Sequence, residues 1–468
     1  MRYHPERLFM LFSPSKTMKT AILLIIMISS LSLLLPPAAH ADDAPKTFIA
    51  PRLATAQRPL TLVQLTDMAL RQNPKTQLAW AAIRSSEAGV ELAKAGYWPL
   101  IDATVTAQRY RPLNFSGLTV NTQTRYGASV SLSYLLWDFG ARSGTLDQAK
   151  FELASAHLSQ NQTVQDVILQ VEQAYYQVLG LQAVVKANRQ SLNDAQTNLE
   201  AVQDRRSSGM ATVGEVYQAE AALAGAKLSL QQSEGQLAGA RGQLAVAVGD
   251  APDMELKLAP LGTLEPPSLP ERSVSELLAD ARDARPELLV AKAQEQVAAA
   301  KLHATRGAGL PTLNLDANAG HTKVQGIGDS NQFSGLLSLK IPLFAGFGDR
   351  AAIHQAEAAL DSARANSDDL RSQVELEVWK AYQNLRTAVA TVDTSEAQLK
   401  SAQLAAEVAN ARYKNGLATI LDLLSAQTTL ANARVQRIQA LLDWAAGRTA
   451  LGHAVGGLKA PENQTESP

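Results

Sequence analysis

The chain carries one passage twice: residues 169–249 align with 376–456 at a constant offset, without a gap. Val171 falls on Val378, Ala174-Tyr175 on Ala381-Tyr382, and Leu192 on Leu399. Further on, Arg205 falls on Arg412, Gly209 on Gly416, Ala211-Thr212 on Ala418-Thr419, and Val248-Gly249 on Val455-Gly456. A period this long excludes a solenoid, whose repeats span a few tens of residues, so one large unit has been made twice. Each copy reads as two alternating strands, a long helix, a Gly turn and a returning helix.

One face of the first long segment reads Val167, Val171, Ala174, Val178, Leu181, Val185, Asn188, Leu192, Ala195, Leu199, Val202. Steps of four and three make this a coiled-coil seam. The second copy repeats it as Val374, Val378, Ala381, Leu385, Ala388, Val392, Ser395, Leu399, Ala402, Ala406, Ala409. No Pro interrupts Gly140 to Gly209 or Gly348 to Gly416. Each stretch therefore predicts a rod of roughly 100 Å at 1.5 Å per residue. Small seam residues allow close approach and curvature into a wall. The returning helices, 212–249 and 419–455, are shorter by nearly half, and the segments from Pro74 to Gly96 and Pro286 to Gly307 match the deficit. Stacked end to end, each short pair equals one long helix. Read alone, the seam also suits a coiled-coil adhesin or a structural stalk.

After Trp98-Pro99 the period changes from 3.6 to 2. Ile101, Ala103, Val105 and Ala107 alternate with Asp102, Thr104, Thr106 and Gln108. Tyr126, Ala128, Val130, Leu132, Tyr134 and Leu136 alternate with Gly127 and three serines. In the second copy Leu313, Leu315, Ala317 and Ala319 alternate with Asn314, Asp316, Asn318 and Gly320, and Phe333, Leu337, Leu339, Ile341 and Leu343 form the apolar set of a fourth strand. Strands of about 10 residues cross an outer membrane at a tilt. Tyr97, Trp98 and Trp137 stand at strand ends, as an interfacial aromatic girdle requires. The same alternation also fits a half-buried soluble sheet. Four strands cannot close, and unpaired backbone facing lipid costs several kcal/mol per group, so a spanning sheet must be completed by other copies. Residues 111–124 and 321–331 are the expected exterior loops.

Composition supports export and excludes several chemistries. Arg2, Arg7, Lys16 and Lys19 precede an apolar run from Ala21 to Leu35, and Ala39-His40-Ala41 offers a cleavage site. Residues 1–41 are thus expected to be a signal peptide, starting at Met1 or Met18. The whole chain balances 43 basic against 44 acidic residues, which gives no field for nucleic acid. Cysteine is absent, which removes disulfides, thiol chemistry and a lipidated cysteine. His157, His303, His321, His354 and His453 form no pair at helical ligand spacing, and no nucleophile or phosphate-loop motif occurs. No catalytic, cofactor or metal site is expected. Asp368-Asp369 reads as a solvated pair.

The duplicated plan, the Tyr97-Trp98-Pro99-Leu100 lead into the first strand, and the turn motifs Arg205-x-x-x-Gly209 and Arg412-Tyr413-x-x-Gly416 carry a resemblance. The chain resembles the TolC-type outer membrane factor family over essentially its whole mature length. The resemblance implies a mainly α, internally duplicated fold with a small β part: a long antiparallel helical coiled-coil barrel forming a periplasmic tunnel. Its four strands per chain would contribute to a trimeric 12-stranded outer-membrane β-barrel. It implies a homotrimeric exit duct of a tripartite efflux pump or a type I secretion system, set in outer membrane lipid. The implied partners are a periplasmic adaptor and an inner-membrane transporter of RND, MFS or ABC type.

It also implies adaptor docking at the helix tips, Arg205, Gly209, Arg412 and Gly416, and a periplasmic gate at Asp422, Tyr413, Glu215 and Ser425. Two positions depart from the family pattern: Ala418 replaces a gate-bridging base, and Ser425 replaces a second acidic ring, so a different latch is expected. Read from residues alone, Asp422 is equally an acid stabilising the start of a helix. The expected organisation is an extended segment at 42–60, repeat 1 at 61–250, a Pro-rich linker at 251–272, repeat 2 at 273–456 and a flexible tail at 457–468. Within the repeats the strands are expected near 100–110, 125–137, 312–321 and 332–343. The long helices are expected near 141–208 and 348–415.

Overall fold

A computed structural model describes residues 59–111, 122–259 and 267–457. The expected signal peptide, nearly all of the segment at 42–60, most of the loop at 111–124, the centre of the linker and nearly all of the tail lie outside the described residues. The elements are α1 (Leu62–Gln72), α2 (Pro74–Ala95), β1 (Leu100–Tyr110), β2 (Gln123–Trp137), α3 (Ala141–Ser207) and α4 (Val213–Val248). The second repeat runs α5 (Val274–Ala284), α6 (Pro286–Ala308), β3 (Thr312–Val324), β4 (Gly328–Lys340), α7 (Gly348–Lys414) and α8 (Ile420–Ala454). No described helix is long and apolar enough to cross a membrane.

Each long helix has 67 residues, and the coiled-coil seam is its buried stripe. Val167, Val171, Val178 and Val202 on α3, and Val378, Leu385 and Val392 on α7, are almost fully covered. Each return helix meets a short helix end to end. Gly249, at φ 93°, ends α4 against the α1–α2 joint, where an added Cβ would lie 2.8 Å from the Gln72 backbone. Asn73 caps α2 with its side-chain oxygen and donates its amide to Ala247 O at 2.9 Å, so one residue closes both helix ends. Gly456 does the same at the α5–α6 joint, where Arg285 donates to His453 O at 3.0 Å. Near these joints Leu60 and Leu258 form a parallel bridge that ties the segment before α1 to the linker.

The two repeats meet along α3, which packs on α6, where Gly144 lies against the Ala304 backbone, and on α8. Gly180 supplies the close approach: a Cβ there would overlap the Leu442 side chain. Polar groups flank this notch. Thr449 Oγ1 donates to Glu172 at 2.7 Å, His453 Nε2 lies 3.0 Å from Asp166, and Arg434 lies 3.1 Å from Asp194. Behind them the buried Arg285 pairs with Glu377 at 2.7 Å and Glu287 at 3.0 Å. Asp166, Glu287 and His453 come together, but the Arg285 guanidinium already supplies the cation. Burial alone would lower the His453 pKa. Its hydrogen bonds to Asp166 and Glu377 outweigh that and raise it to about 9, against the opposing charge of Arg285.

The sheet is antiparallel in the order β1-β2-β3-β4, so β1 and β4 are open edges. Its register lines apolar residues up across all four strands: Ala103 opposes Val130, Val130 opposes Ala319, and Ala319 opposes Phe333. The other face aligns Asp102, Ser131, Asn318 and Ser334. The second hairpin is longer than its apolar pattern suggests. The expected loop at 321–331 is corrected to a turn at 325–327, because the ladder continues through His321–Asn331, Thr322–Ser330 and Lys323–Asp329. Gly326 and Gly328, both at positive φ, make the tight reversal. β4 accordingly ends at Lys340, and Ile341 and Leu343 lie beyond it. Alternation of polarity marks the apolar band, not the full length of the strand.

Two outcomes follow. Gly180→Val should destabilise the α3–α8 contact by about 1–3 kcal/mol through overpacking, and Leu442→Ala in the same chain should recover part of it in thermal melts. Raising pH through about 9 should remove the stabilisation from His453, which is complete below its ordinary 6.5. His453→Gln should flatten that slope in melts taken between those limits. Glu377, held below its ordinary value first by its hydrogen bond to His453 and also by Arg285, contributes the opposite limb, lost on acidification.

Candidate functional site

The far ends of the long helices from the sheet form a paired tip. Each long helix stops by the same device. Gly209 (φ 74°) and Gly416 (φ 72°) take the left-handed conformation. Met210 N then donates to Arg205 O, and Leu417 N to Arg412 O, at 2.8 Å each. Gly209 N to Arg206 O and Gly416 N to Tyr413 O complete a Schellman motif at both tips. Each return helix starts from a capping box. Thr212 and Glu215 cap α4, with Thr212 N to Glu215 Oε2 at 2.6 Å. Thr419 and Asp422 cap α8, with Thr419 N to Asp422 Oδ2 at 2.9 Å.

Asp422 is therefore held by Thr419, whose backbone N–H and hydroxyl both donate to its carboxylate and keep its pKa below the ordinary value. It remains exposed, as does Ser425. With Leu404, Val408, Arg412 and Ala418 it borders an open cleft of about 520 Å³ between α7 and α8. Ala418 offers no side-chain donor here, so Asp422 makes no ion pair with that position.

A contact between the repeats joins the two tips. Arg205 Nη1 donates to the carbonyls of Tyr413 and Lys414, at 2.9 and 3.1 Å, and its guanidinium sits 4.9 Å from the centre of the Tyr413 ring. The last carbonyls of α7 thus receive a cation from the other repeat, which the helix dipole favours. Tyr413 is 3% exposed and packs with Val202, Val216, Ile420 and Leu423 in a cluster drawn from both repeats. Burial, then the nearby Glu215 carboxylate, push its pKa up, while Arg205 opposes them. The Tyr413 hydroxyl has no hydrogen-bond partner among the described residues. Of the residues read from sequence, Arg205, Tyr413 and Glu215 come together; Asp422 and Arg412 share the neighbouring cleft, and Ser425 faces solvent apart from them. Among the described residues, Arg412 makes a local 3.4 Å bond to Leu417 O and no bond to the other repeat. Thr212 and Thr419 were readable as Thr-x-x-acid capping boxes but carry no signal beyond that spacing.

The expected aromatics gather at the opposite end, where sheet meets helix. Trp98 is 74% exposed and Trp137 59%, and Trp137 stacks edge-on with Phe139 at 6.1 Å. Phe344 and Phe347 form the equivalent pair in repeat 2 at 5.4 Å. Alternation missed these phenylalanines because they lie past the strand ends. Tyr97 is covered by Arg142, 4.9 Å from its ring centre. Arg142 also pairs with the buried Asp138 and donates to Leu135 O and Leu136 O, locking the strand-to-helix corner.

Tyr413→Phe should leave the thermal stability of the tip unchanged or raise it slightly, since the lost hydroxyl bonds to nothing among the described residues. Arg205→Met keeps the stem but strips three interactions. It should destabilise the tip by about 1–3 kcal/mol, the value of hydrogen bonds from a charged group. Hydrogen exchange at residues 199–220 and 406–424 reads both outcomes.

With that geometry in place, comparison with known proteins is specific. The profile of the family described as "Outer membrane efflux protein" matches twice, over residues 65–250 and 277–457, once for each repeat. Protein CyaE of Bordetella pertussis is 30% identical over 408 residues, covering 86% of this chain and 85% of that protein. The outer membrane efflux protein BepC of Brucella suis is 26% identical over 407 residues, covering 86% of each. Among solved structures, the outer-membrane channel OprN superposes with a TM-score of 0.78 at 22% identity, over 86% of this chain and 91% of that one. The chain belongs to the outer membrane efflux protein family, a family of outer membrane channels and not of enzymes.

Proposed function

We propose that this chain is one third of a homotrimeric exit duct that crosses the outer membrane and reaches through the periplasm. The observation that carries the reading is the four-stranded sheet with two unpaired edges and one apolar face, attached to two 67-residue rods. Three copies would close twelve strands into one barrel and gather twelve helix-widths into one tunnel. Conduction is passive, through a polar lumen lined by the Asp102–Ser131–Asn318–Ser334 face. Energy comes from an inner-membrane transporter of RND, MFS or ABC type, reached through a periplasmic adaptor that docks at the Gly209 and Gly416 tips. The machine served is an efflux pump, a reading that the family description and the efflux protein of Brucella suis support, with a type I secretion system as the alternative.

The gate lies at the tips, where the Arg205–Tyr413 latch joins the repeats and three Asp422 carboxylates would ring the axis. Like charges there bind cations and slow anions. In detergent extracts the unheated protein should run as a heat-sensitive trimer; a stable monomer would refute the assembly. Asp422→Asn retains an oxygen for the Thr419 cap and removes the charge. It should weaken multivalent-cation block of single-channel current by an order of magnitude while trimer stability stays unchanged. Unaltered block would remove Asp422 from the constriction.

A further inference from the structure

We infer that Trp379 of one copy seats in a groove between α3 and α4 of a second copy, and that it anchors the contact between copies. The inference rests on the assembly reading above. The internal repeat relates the two contacts. Within the chain, α8 lies on α3 through three opposed pairs: Leu442 on Gly180, Thr449 on Glu172, and His453 on Asp166. The offset that carries 171 onto 378 converts this into a contact of α7 with α4, in which Gly235 opposes Thr387, Gly242 opposes Trp379, and Val246 opposes Gln373. Within one chain these helices do not meet at these residues. Trp379 and its neighbour on the same face, Leu376, are 50% and 51% exposed, and Val246 is 51% exposed.

The groove that should receive the indole is already formed. A cavity of about 700 Å³ runs along α3 and α4, with Gly239, Gly242, Val246 and Ala247 on one wall and Gln173 and Gln177 on the other. Nothing lies within 4 Å of a Cβ added at Gly235 or Gly239, so the wall is open there, while at Gly242 the Pro252 carbonyl, 3.3 Å from an added Cβ, bounds the joint end of the groove. The shapes are complementary in a reversed sense. Inside the chain the return helix supplies the knob and the long helix the notch; between copies the long helix supplies Trp379 and the return helix supplies Gly242. The polar pairs of the inner contact are replaced by an aromatic on glycine. Neither face can substitute for the other, which fixes the order of repeats around a ring. The same shift continues toward the tip. Ile420 is 3% exposed inside the chain, whereas its counterpart Val213 is 46% exposed. The cleft bordered by Leu404 and Val408 is the matching seat on α7. Buried Trp anchors of this kind dominate protein contacts.

The chain has no cysteine, so introduced pairs report cleanly. Gln373→Cys with Val246→Cys, Trp379 retained, should give cross-linked dimers and trimers with a short bismaleimide in outer membranes, and neither single variant should. Trp379→Ala should lower the temperature at which the unheated trimer dissociates by at least ten degrees, with helix content by circular dichroism unchanged. A trimer that fails to cross-link, or one indifferent to Trp379→Ala, overturns the seat and leaves the trimer standing. A parent protein that is monomeric in membranes overturns the assembly reading, and the seat with it.

Discussion

Everything in this chain depends on backbone groups at two strand edges. β1 and β4 each have one neighbour, and an unsatisfied amide or carbonyl in hydrocarbon costs several kcal/mol. A soluble sheet can hide an edge behind a helix or decorate it with charge. Here the apolar row running through Val130, Ala319 and Phe333 puts the sheet in lipid, where only another strand can serve. The helices inherit this requirement. In the proposed assembly the tunnel beneath the barrel is shared as well, and each chain leaves one long-helix face and one return-helix face for its neighbours.

The duplicated halves show how one sequence plan serves two surroundings. Both repeats use the same caps: a Schellman glycine at the tip, a Thr-acid box behind it, and a left-handed glycine at the joint with the short helix. They diverge where their neighbours differ. Arg205 reaches across to the carbonyls of Tyr413 and Lys414, while its counterpart Arg412 finds only its own turn. His453 is buried in an ion-pair network, while its counterpart Val246 is exposed. Local backbone chemistry was kept, and side chains facing other repeats were changed.

That pattern also explains what could be read in advance. The rods were legible because a seam of eleven positions is redundant; even its polar members, Asn188 and Ser395, are tolerated without breaking the period. The apolar band of the sheet was legible for the same reason. Strand ends were not, since the alternation stops at His321, Thr322 and Lys323, all polar, while the ladder continues through them. At the tip, Gly209 and Gly416 were readable from the need to reverse the chain. The Arg205 latch was visible only as half of a motif, because its acceptors are carbonyls 208 and 209 positions away, and carbonyls have no residue type. The buried His453 was passed over: its partners Asp166 and Glu377 lie on two other helices.

The glycine joints at 249 and 456 bear on how such a duct can change size over evolution. Each abuts the start of a short helix with no room for even a methyl group. A column of fixed total span is thereby divided at a rigid seam. Any gain or loss of length in a long helix must be copied, on the same side of that seam, in the segment running beside it. Keeping the apolar stripe in phase further restricts the change to multiples of seven residues. Ducts built on this plan should therefore differ in height by coordinated heptads, and lone insertions should be confined to the loops and the linker.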